Sequence, residues 1–347
     1  MSTTTQSQPT VAAEDGDHDV VVVGGGAAGL SAALTLARAR RSVLVIDAGQ
    51  PRNAPAAHLH NYLSRDGAAP SELLAAGRAE VTGYGGRVMT GTVVSAARLD
   101  DGRFRVELED GSQVRARRLL VATGLVDELP DVPGVAQRWG RDVLHCPYCH
   151  GWEVRDRTIG ILATGPMAVH SALLWRQWSA DVTLFRHTAA ALDGAEREQL
   201  AARGIAVVDG TVTGLEVSGD RLTGVRLTGG AVVGCEALVV VPRLTARADL
   251  LTDLGLRDVT DLHMGDRMVG THVAGDHAGA TEIPGVWVAG NVADLMDQLI
   301  SAAAAGVRSG AAINADLVTE DSVRALDAYR GTASGERAST TEAPAVT

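Results

Sequence analysis

The sequence predicts an α/β fold made of two doubly wound, three-layer (ββα) units, and three observations carry that expectation. Four consecutive valines, Val20 to Val23, lead into a glycine turn and an Ala/Leu-rich stretch with helical spacing. A second opening of the same strand–turn–helix kind begins at Thr158. The 347 residues also exceed what one core usually holds, about 250–300 residues. Both units read as Rossmann-like.

Residues 1–17 are polar, small and aperiodic, as are residues 331–347, and both are expected to be disordered tails. The first strand, 19–23, reaches Gly24, its helix runs to about Arg41, and a second strand, 42–46, stops at Asp47. Segments 88–121 and 205–241 alternate short Val/Leu strands with turns such as Asp101-Gly102, Asp110-Gly111 and Gly229-Gly230. Each unit is therefore expected to carry an antiparallel ribbon. In the second opening a strand from Ile159 meets Ala163-Thr164-Gly165-Pro166-Met167-Ala168. Pro166 suits a first helical turn, where its missing N–H costs nothing. Trp175 and Trp178, three apart, read as the core face of the helix that follows, and a strand then ends at Phe185. A last strand, 285–289, runs into Gly290-Asn291, ahead of an Ala-rich helix from about Asp297 to Leu317.

Composition removes several function classes. Asp+Glu at 42 exceeds Lys+Arg at 31, and two Phe, four Tyr and five Trp are few for stacking bases, so no nucleic-acid partner is expected. No apolar run approaches the ~18–20 residues of a membrane span. The start lacks the basic and apolar regions of a signal peptide. Three cysteines are too few for a disulfide scaffold. A soluble cytoplasmic enzyme is expected, with no membrane partner and no metal.

Gly24, Gly26 and Gly29 stand in the spacing G-x-G-x-x-G between a strand and a helix. That pattern allows a tight reversal, close backbone approach to a pyrophosphate, and an anion at the helix N-terminus. Asp47 ends the next strand, near the roughly 20-residue distance at which an acid meets ribose hydroxyls. The chemical centre is Cys146-Pro147-Tyr148-Cys149-His150. Two thiols three apart can close a disulfide and exchange with another dithiol. The residues alone also leave open a zinc site, which would need a second ligand pair, a c-type haem attachment, a glutaredoxin-like tetrapeptide and a structural dithiol. Cys235, alone on a strand, reads as a small buried hydrophobe.

The order of G-G-G-A-A-G, Ala122-Thr123-Gly124, C-x-x-C entering a second nucleotide-type unit, and Gly290-Asn291 before a last helix resembles the low-molecular-weight thioredoxin reductases over residues 19–320. The resemblance implies an FAD domain split into 18–138 and 268–330, with a smaller NADPH-like domain, 139–267, inserted and carrying the C-x-x-C. It implies FAD contacts from Gly24, Gly26, Gly29, Asp47, Thr123, Gly124, Asn291 and Gln298, and a homodimer. Asn291 stands where those enzymes carry an Asp.

The second unit departs further from that family. Ala163 occupies the first glycine position, Pro166 removes an N–H, and only Arg186 and His187 stand where a His-Arg-Arg group would fork a 2′-phosphate. A C-x-x-C flavoenzyme with such a nucleotide site is similar to the dithiol oxidases of natural-product pathways, which close intramolecular disulfides in compounds such as holomycin and gliotoxin with O2. That resemblance implies Cys146 as the sulfur that exchanges with a small-molecule dithiol and Cys149 as the one nearer the flavin. His150 replaces the acid that follows the second cysteine in thioredoxin reductases, and as an imidazole it suits removal of thiol protons. His145 flanks the pair and is expected to assist. His58 and His60 are placed in a loop, with packing as their default role and the wall of a substrate cavity as the alternative. The competing readings are an NAD(P)H-dependent disulfide reductase and a non-catalytic FAD-binding partner protein.

Overall fold

The computed structural model describes residues 16–256, 259–264 and 267–339. β1 (Asp17–Val23), α1 (Ala27–Arg38) and β2 (Val43–Asp47) form the first opening, with β1 parallel to β2. Asp17, expected in the tail, begins the strand. α2 (Pro70–Gly83) leads to β3 (Arg87–Thr90), parallel to β2. β4 (Val93–Arg98), β5 (Phe104–Leu108) and β6 (Gln113–Val121) then run antiparallel, and β6 returns parallel to β1. The ribbon expected over 88–121 therefore starts at β4, because β3 belongs to the parallel sheet. The strand period of two sorts the valines. Val21, Val23, Leu44 and Ile46 pack with Phe104, Val106 and Leu108 of the ribbon, while Val20, Val22, Val43 and Val45 pack with Leu36 of α1. Ribbon, sheet and helices are the three layers.

β7 (Leu125–Glu128) leaves this unit, and α3 (Val135–Arg138), β8 (Val143–Leu144) and α4 (Pro147–His150) enter the second. Its parallel sheet adds β9 (Ile159–Leu162), α5 (Met167–Trp175), β10 (Val182–Phe185), α6 (Gly194–Ala202) and β11 (Ala206–Val208). β12 (Val212–Ser218), β13 (Arg221–Leu227) and β14 (Val232–Gly234) are its antiparallel ribbon, followed by β15 (Ala237–Val239). The sheet order is β11-β10-β9-β15-β8. Trp175 is fully buried against Ile159, Ile161, Val182 and Leu184. Trp178 lies beyond the end of α5 and is half-buried, so it is not part of a helix core face. Trp175→Ala is expected to destabilise this unit by about 3–5 kcal/mol in denaturant titration. Trp175→Phe should cost far less, since the buried indole N–H has no partner to lose among the described residues.

β16 (Arg243–Ala246), α7 (Asp249–Asp253), β17 (Thr260–Met264) and β18 (Arg267–His272) follow. β16 pairs antiparallel with β7 and parallel with β18, and Leu250 and Leu251 pack into the ribbon core of the first unit. Val132 and Val135, by contrast, pack in the core of the inserted unit. On these pairings we propose an inserted unit of residues 129–242, which begins earlier than the expected 139–267 and ends earlier as well. β19 (Val286–Val288) lies parallel to β6 and ends in a 3₁₀ turn, Gly290–Val292, before α8 (Leu299–Ser339). Residues 331–339 are thus helical where a tail is expected, while 1–15 and 340–347 lie outside the described residues. Among the described residues no helix is long and apolar enough to cross a membrane.

Candidate active site

The glycine turn is shaped by what it excludes. Gly24 has φ +107°, and a Cβ there would stand 2.4 Å from the Ala122 carbonyl oxygen. A Cβ at Gly29 would stand 1.9 Å from the Gly24 carbonyl oxygen. Gly26, which precedes α1, has no atom within 4 Å of such a Cβ, so its face is open. A Cβ at Gly25 would meet the Asp47 side chain at 2.8 Å, which places the carboxylate beside the turn. Asp47 Oδ2 accepts from Arg78 Nη2 at 2.7 Å. β1, β2, β6 and β19 are neighbours in one parallel sheet, so Gly24, Asp47, Thr123, Gly124 and Asn291 gather at its carboxyl edge. Two of these side chains are already engaged. The Thr123 hydroxyl donates to the Arg247 carbonyl at 2.6 Å. The Asn291 amide donates to the carbonyls of Asp294 at 3.0 Å and Asp297 at 2.9 Å, and so shapes the loop that leads to Gln298 and α8. Gln298 contributes its carbonyl to the Ala302 N–H at 2.9 Å.

The dithiol sits at the start of α4. Pro147 opens that turn, and the N–H groups of Cys149 and His150 both donate to the Cys146 carbonyl at 3.2 Å. Both thiols are free, and Cys149 Sγ donates to Cys146 Sγ at 2.6 Å. That contact, with the N–H groups of Cys149 and Tyr148 and the positive charge of Arg52, lowers the Cys146 pKa to about 7 against burial. Donation to Cys146, together with burial, pushes Cys149 upward. His145 Nδ1 lies 3.2 Å from the Val240 carbonyl; with its proton there, Nε2 carries the lone pair. Burial lowers the His145 pKa, and Arg52 adds to the lowering. His150 is lowered chiefly by burial, and neither ring nitrogen has a partner among the described residues.

Four contributors are not marked as site residues by the sequence. Arg52 follows β2 and grips Asp127 of β7 at 2.6 and 2.7 Å while reaching Asn291 Oδ1 at 3.3 Å. It thereby holds a positive charge near the dithiol. Trp178 stacks edge-on to Tyr148 with centroids 5.7 Å apart, and a Cβ at Gly151 would meet its indole at 2.8 Å. Asn61 Nδ2 donates to the Tyr148 carbonyl at 2.6 Å, and Glu153 Oε1 lies 3.3 Å from His60 Nε2. His58 is occupied within its own loop, its Nδ1 at 3.0 Å from the Gly67 carbonyl. Cys235 is remote from the dithiol: it is buried in the inserted core, donates to the Ala237 carbonyl at 2.9 Å, and burial pushes its pKa up to about 12. Among the described residues no group of three or more His, Cys, Asp and Glu is placed to hold a metal ion.

The second turn is built differently from the first. Ala163 is buried, its N–H donates to Phe185, and its carbonyl accepts from Ala189 at 3.2 Å, so the chain after β10 is tied back onto the turn. Arg186 Nε donates to Asp209 Oδ1 at 2.5 Å. His187, at φ +43°, accepts the Val212 N–H on Nδ1 at 3.0 Å. Both basic residues of this turn therefore have a partner within the protein.

The family model for pyridine nucleotide-disulphide oxidoreductases matches residues 18–310. Thioredoxin reductase sirT of Leptosphaeria maculans is 30% identical over 85% of this chain and 93% of its own. Thioredoxin reductase tcpT of Claviceps purpurea (strain 20.1) is 38% identical over 51% of this chain and 57% of its own, so the chain matches about half the length of that relative. A crystal structure of HlmI is 49% identical, with TM-score 0.85 over 92% of this chain and 98% of the other. An oxidoreductase from Agrobacterium tumefaciens is 34% identical, with TM-score 0.80 over 87% and 99%. Such enzymes are FAD-binding flavoproteins, and the open face at Gly26, flanked by two positions where no Cβ fits and by Asp47, suits that cofactor. The chain belongs to the pyridine nucleotide-disulphide oxidoreductase family, in its thioredoxin-reductase-like part, and FAD is its cofactor.

Proposed function

We propose that the protein is a dithiol oxidase. It closes an intramolecular disulfide in a small dithiol, with dioxygen as acceptor and hydrogen peroxide as product. The observation that carries this reading is the contrast between the two redox inlets. The contact with Cys149 lowers the Cys146 pKa to about 7, while Arg186 and His187 of the nicotinamide-type turn are hydrogen-bonded to Asp209 and to the Val212 N–H. A dithiol inlet is kept and a 2′-phosphate fork is not.

In the working cycle Cys146 and Cys149 rest as a disulfide. A substrate thiolate attacks Cys146 Sγ; the enzyme S–S bond breaks, a mixed disulfide forms, and Cys149 leaves as thiolate. The second substrate thiol then attacks its own mixed-disulfide sulfur, so the substrate disulfide forms and Cys146 leaves. One S–S bond has formed and one has broken, and the two substrate protons pass to the enzyme. In this reading His150, whose ring nitrogens have no partner among the described residues, takes the first proton, and His145, whose Nε2 carries the lone pair when Nδ1–H donates to Val240, takes the second. When bound, FAD supplies the two-electron relay from the enzyme dithiol to dioxygen. Gly24, Gly26, Gly29 and Asp47 would hold its nucleotide end, with Thr123, Gly124, Asn291 and Gln298 along the same sheet edge. We infer a cytoplasmic homodimer, since related enzymes commonly dimerise.

The holoenzyme with dithiothreitol is expected to consume oxygen and release an equal amount of peroxide. NADPH under nitrogen should leave the flavin band unchanged. The names of the relatives favour the second reading, an NAD(P)H-dependent disulfide reductase. Prompt bleaching by NADPH, with no dithiol-driven oxygen uptake, would establish it.

A further inference from the structure

Aromatic side chains are scarce in this chain, two Phe, four Tyr and five Trp in 347 residues, yet several gather at the dithiol. A row of three rings runs outward from the inserted core. Trp175 is fully buried, Trp178 follows with ring centroids 6.0 Å apart, and Tyr148, between the two cysteines, meets Trp178 edge-on at 5.7 Å. Trp152 comes four residues after Tyr148, and Gly151 before it keeps helical angles, φ −64° and ψ −35°. At about 100° per residue, Tyr148 and Trp152 fall on one side of the cysteines and His150 on the other. The outer rings stand in water: Tyr148 is 55% exposed and Trp152 is 66% exposed. Their backbone is nevertheless fixed. Asn61 Nδ2 donates to the Tyr148 carbonyl and Arg155 Nη1 to the Trp152 carbonyl, both at 2.6 Å. The Arg155 guanidinium also lies over the Trp152 ring, 4.0 Å from its centroid. With one face of the indole under that cation, its high exposure puts the other face in solvent.

We propose that Tyr148 and Trp152 form an aromatic platform that selects the substrate by its frame. The thiols of the substrate go to Cys146, and the flat aromatic or conjugated ring that carries them lies on the two open rings. The inference rests on the reading of the C-x-x-C as a small-dithiol inlet and adds the class of dithiol. Packing accounts for Trp175, which is sealed in the core, but it does not call for two rings held in place and left uncovered. Tyr and Trp have only two side-chain torsions to fix, so they receive a flat body at a low cost in conformational entropy. Cys146 and Cys149 are half-buried, which suits a compact body with neighbouring sulfurs better than the broad surface of a protein. A polar, flexible frame such as the threitol chain of dithiothreitol reaches the same sulfurs and gains nothing from the platform.

The test compares 1,2-benzenedimethanethiol with dithiothreitol. Each closes a six-membered ring holding the new S–S bond and gives up two electrons and two protons, so the frame is what differs. Bleaching of the flavin band of the holoprotein under nitrogen is followed, each rate taken relative to that dithiol's rate with a free disulfide. The unmutated protein should prefer the arene dithiol by ~10-fold. Trp152→Ala should remove most of that preference, chiefly through KM, and Trp152→Phe should keep most of it. Equal losses for the two dithiols, or no preference in the unmutated protein, would overturn the proposal. The indole N–H resonance that Trp152→Phe deletes reads the contact without turnover. 1,2-Benzenedimethanol, the same ring with hydroxyls in place of thiols, should shift it, and threitol should not. A resonance that moves on dilution of the protein alone would give this face to a second copy. One moved by reduced thioredoxin and not by the arene would give it to a protein dithiol, and either result overturns the platform. A lack of oxygen uptake counts against the oxidase reading alone, because both readouts run without oxygen.

Discussion

Cys146→Ser is expected to abolish dithiol-dependent oxygen uptake, by ~1000-fold or more, equivalent to ~4 kcal/mol of barrier, while the flavin stays bound. The serine hydroxyl fills the same space, so the loss is chemical. At a pKa of about 7, Cys146 is roughly half thiolate at neutral pH, against a few per cent for an ordinary thiol. Serine offers no sulfur for the substrate thiolate to attack, no comparable leaving group and nothing to close onto Cys149. Alkylation of the reduced protein by iodoacetamide reads the cause directly. The rate should rise through a midpoint near pH 7 and be confined to Cys146, because donation to Cys146 and burial hold Cys149 protonated. In Cys149→Ala the S–H donor is gone, so the Cys146 midpoint should climb toward that of an ordinary thiol. A Cys146→Ser protein with undiminished biological effect would instead support a non-catalytic partner role.

Much of this site is legible in the sequence because its signals are local. The valine strand, the glycine turn and Asp47 lie within 30 residues, and turn geometry demands those residue types at that spacing. The C-x-x-C carries its chemistry in four residues. The parts that escape are made by pairing across the chain. β16 joins β7 over more than a hundred residues, with four-residue strands too short to show a period, so this pairing is not legible in the sequence. Arg52 is one arginine among many until Asp127 and Asn291 close on it. The helical span 331–339 is missed for another reason: its sequence is polar and aperiodic, while α8 runs on through it.

The nucleotide cradle supplies the other large effect. Gly26→Val is expected to leave the protein folded yet lower FAD affinity by ~100-fold, about 2.7 kcal/mol. Gly24, Gly26 and Gly29 share one motif, but the structure assigns them different tasks. At Gly29 a Cβ would collide with the Gly24 carbonyl, and at Gly24 it would meet both a positive φ and the Ala122 carbonyl, so substitution at either disturbs the fold itself. Gly26 is held at φ −78° and ψ −174°, an extended conformation open to any residue, and its Cβ position faces empty space. Folding alone places no demand for glycine there; a ligand brought close to the backbone does. Circular dichroism and the thermal midpoint of the apoprotein should therefore match the unmutated apoprotein, while flavin titration separates the two. Gly29→Val should lose both fold and flavin, which sets the scale for structural damage. Unchanged FAD affinity in Gly26→Val would remove the cradle from this turn and require the pyrophosphate to lie elsewhere along the sheet edge.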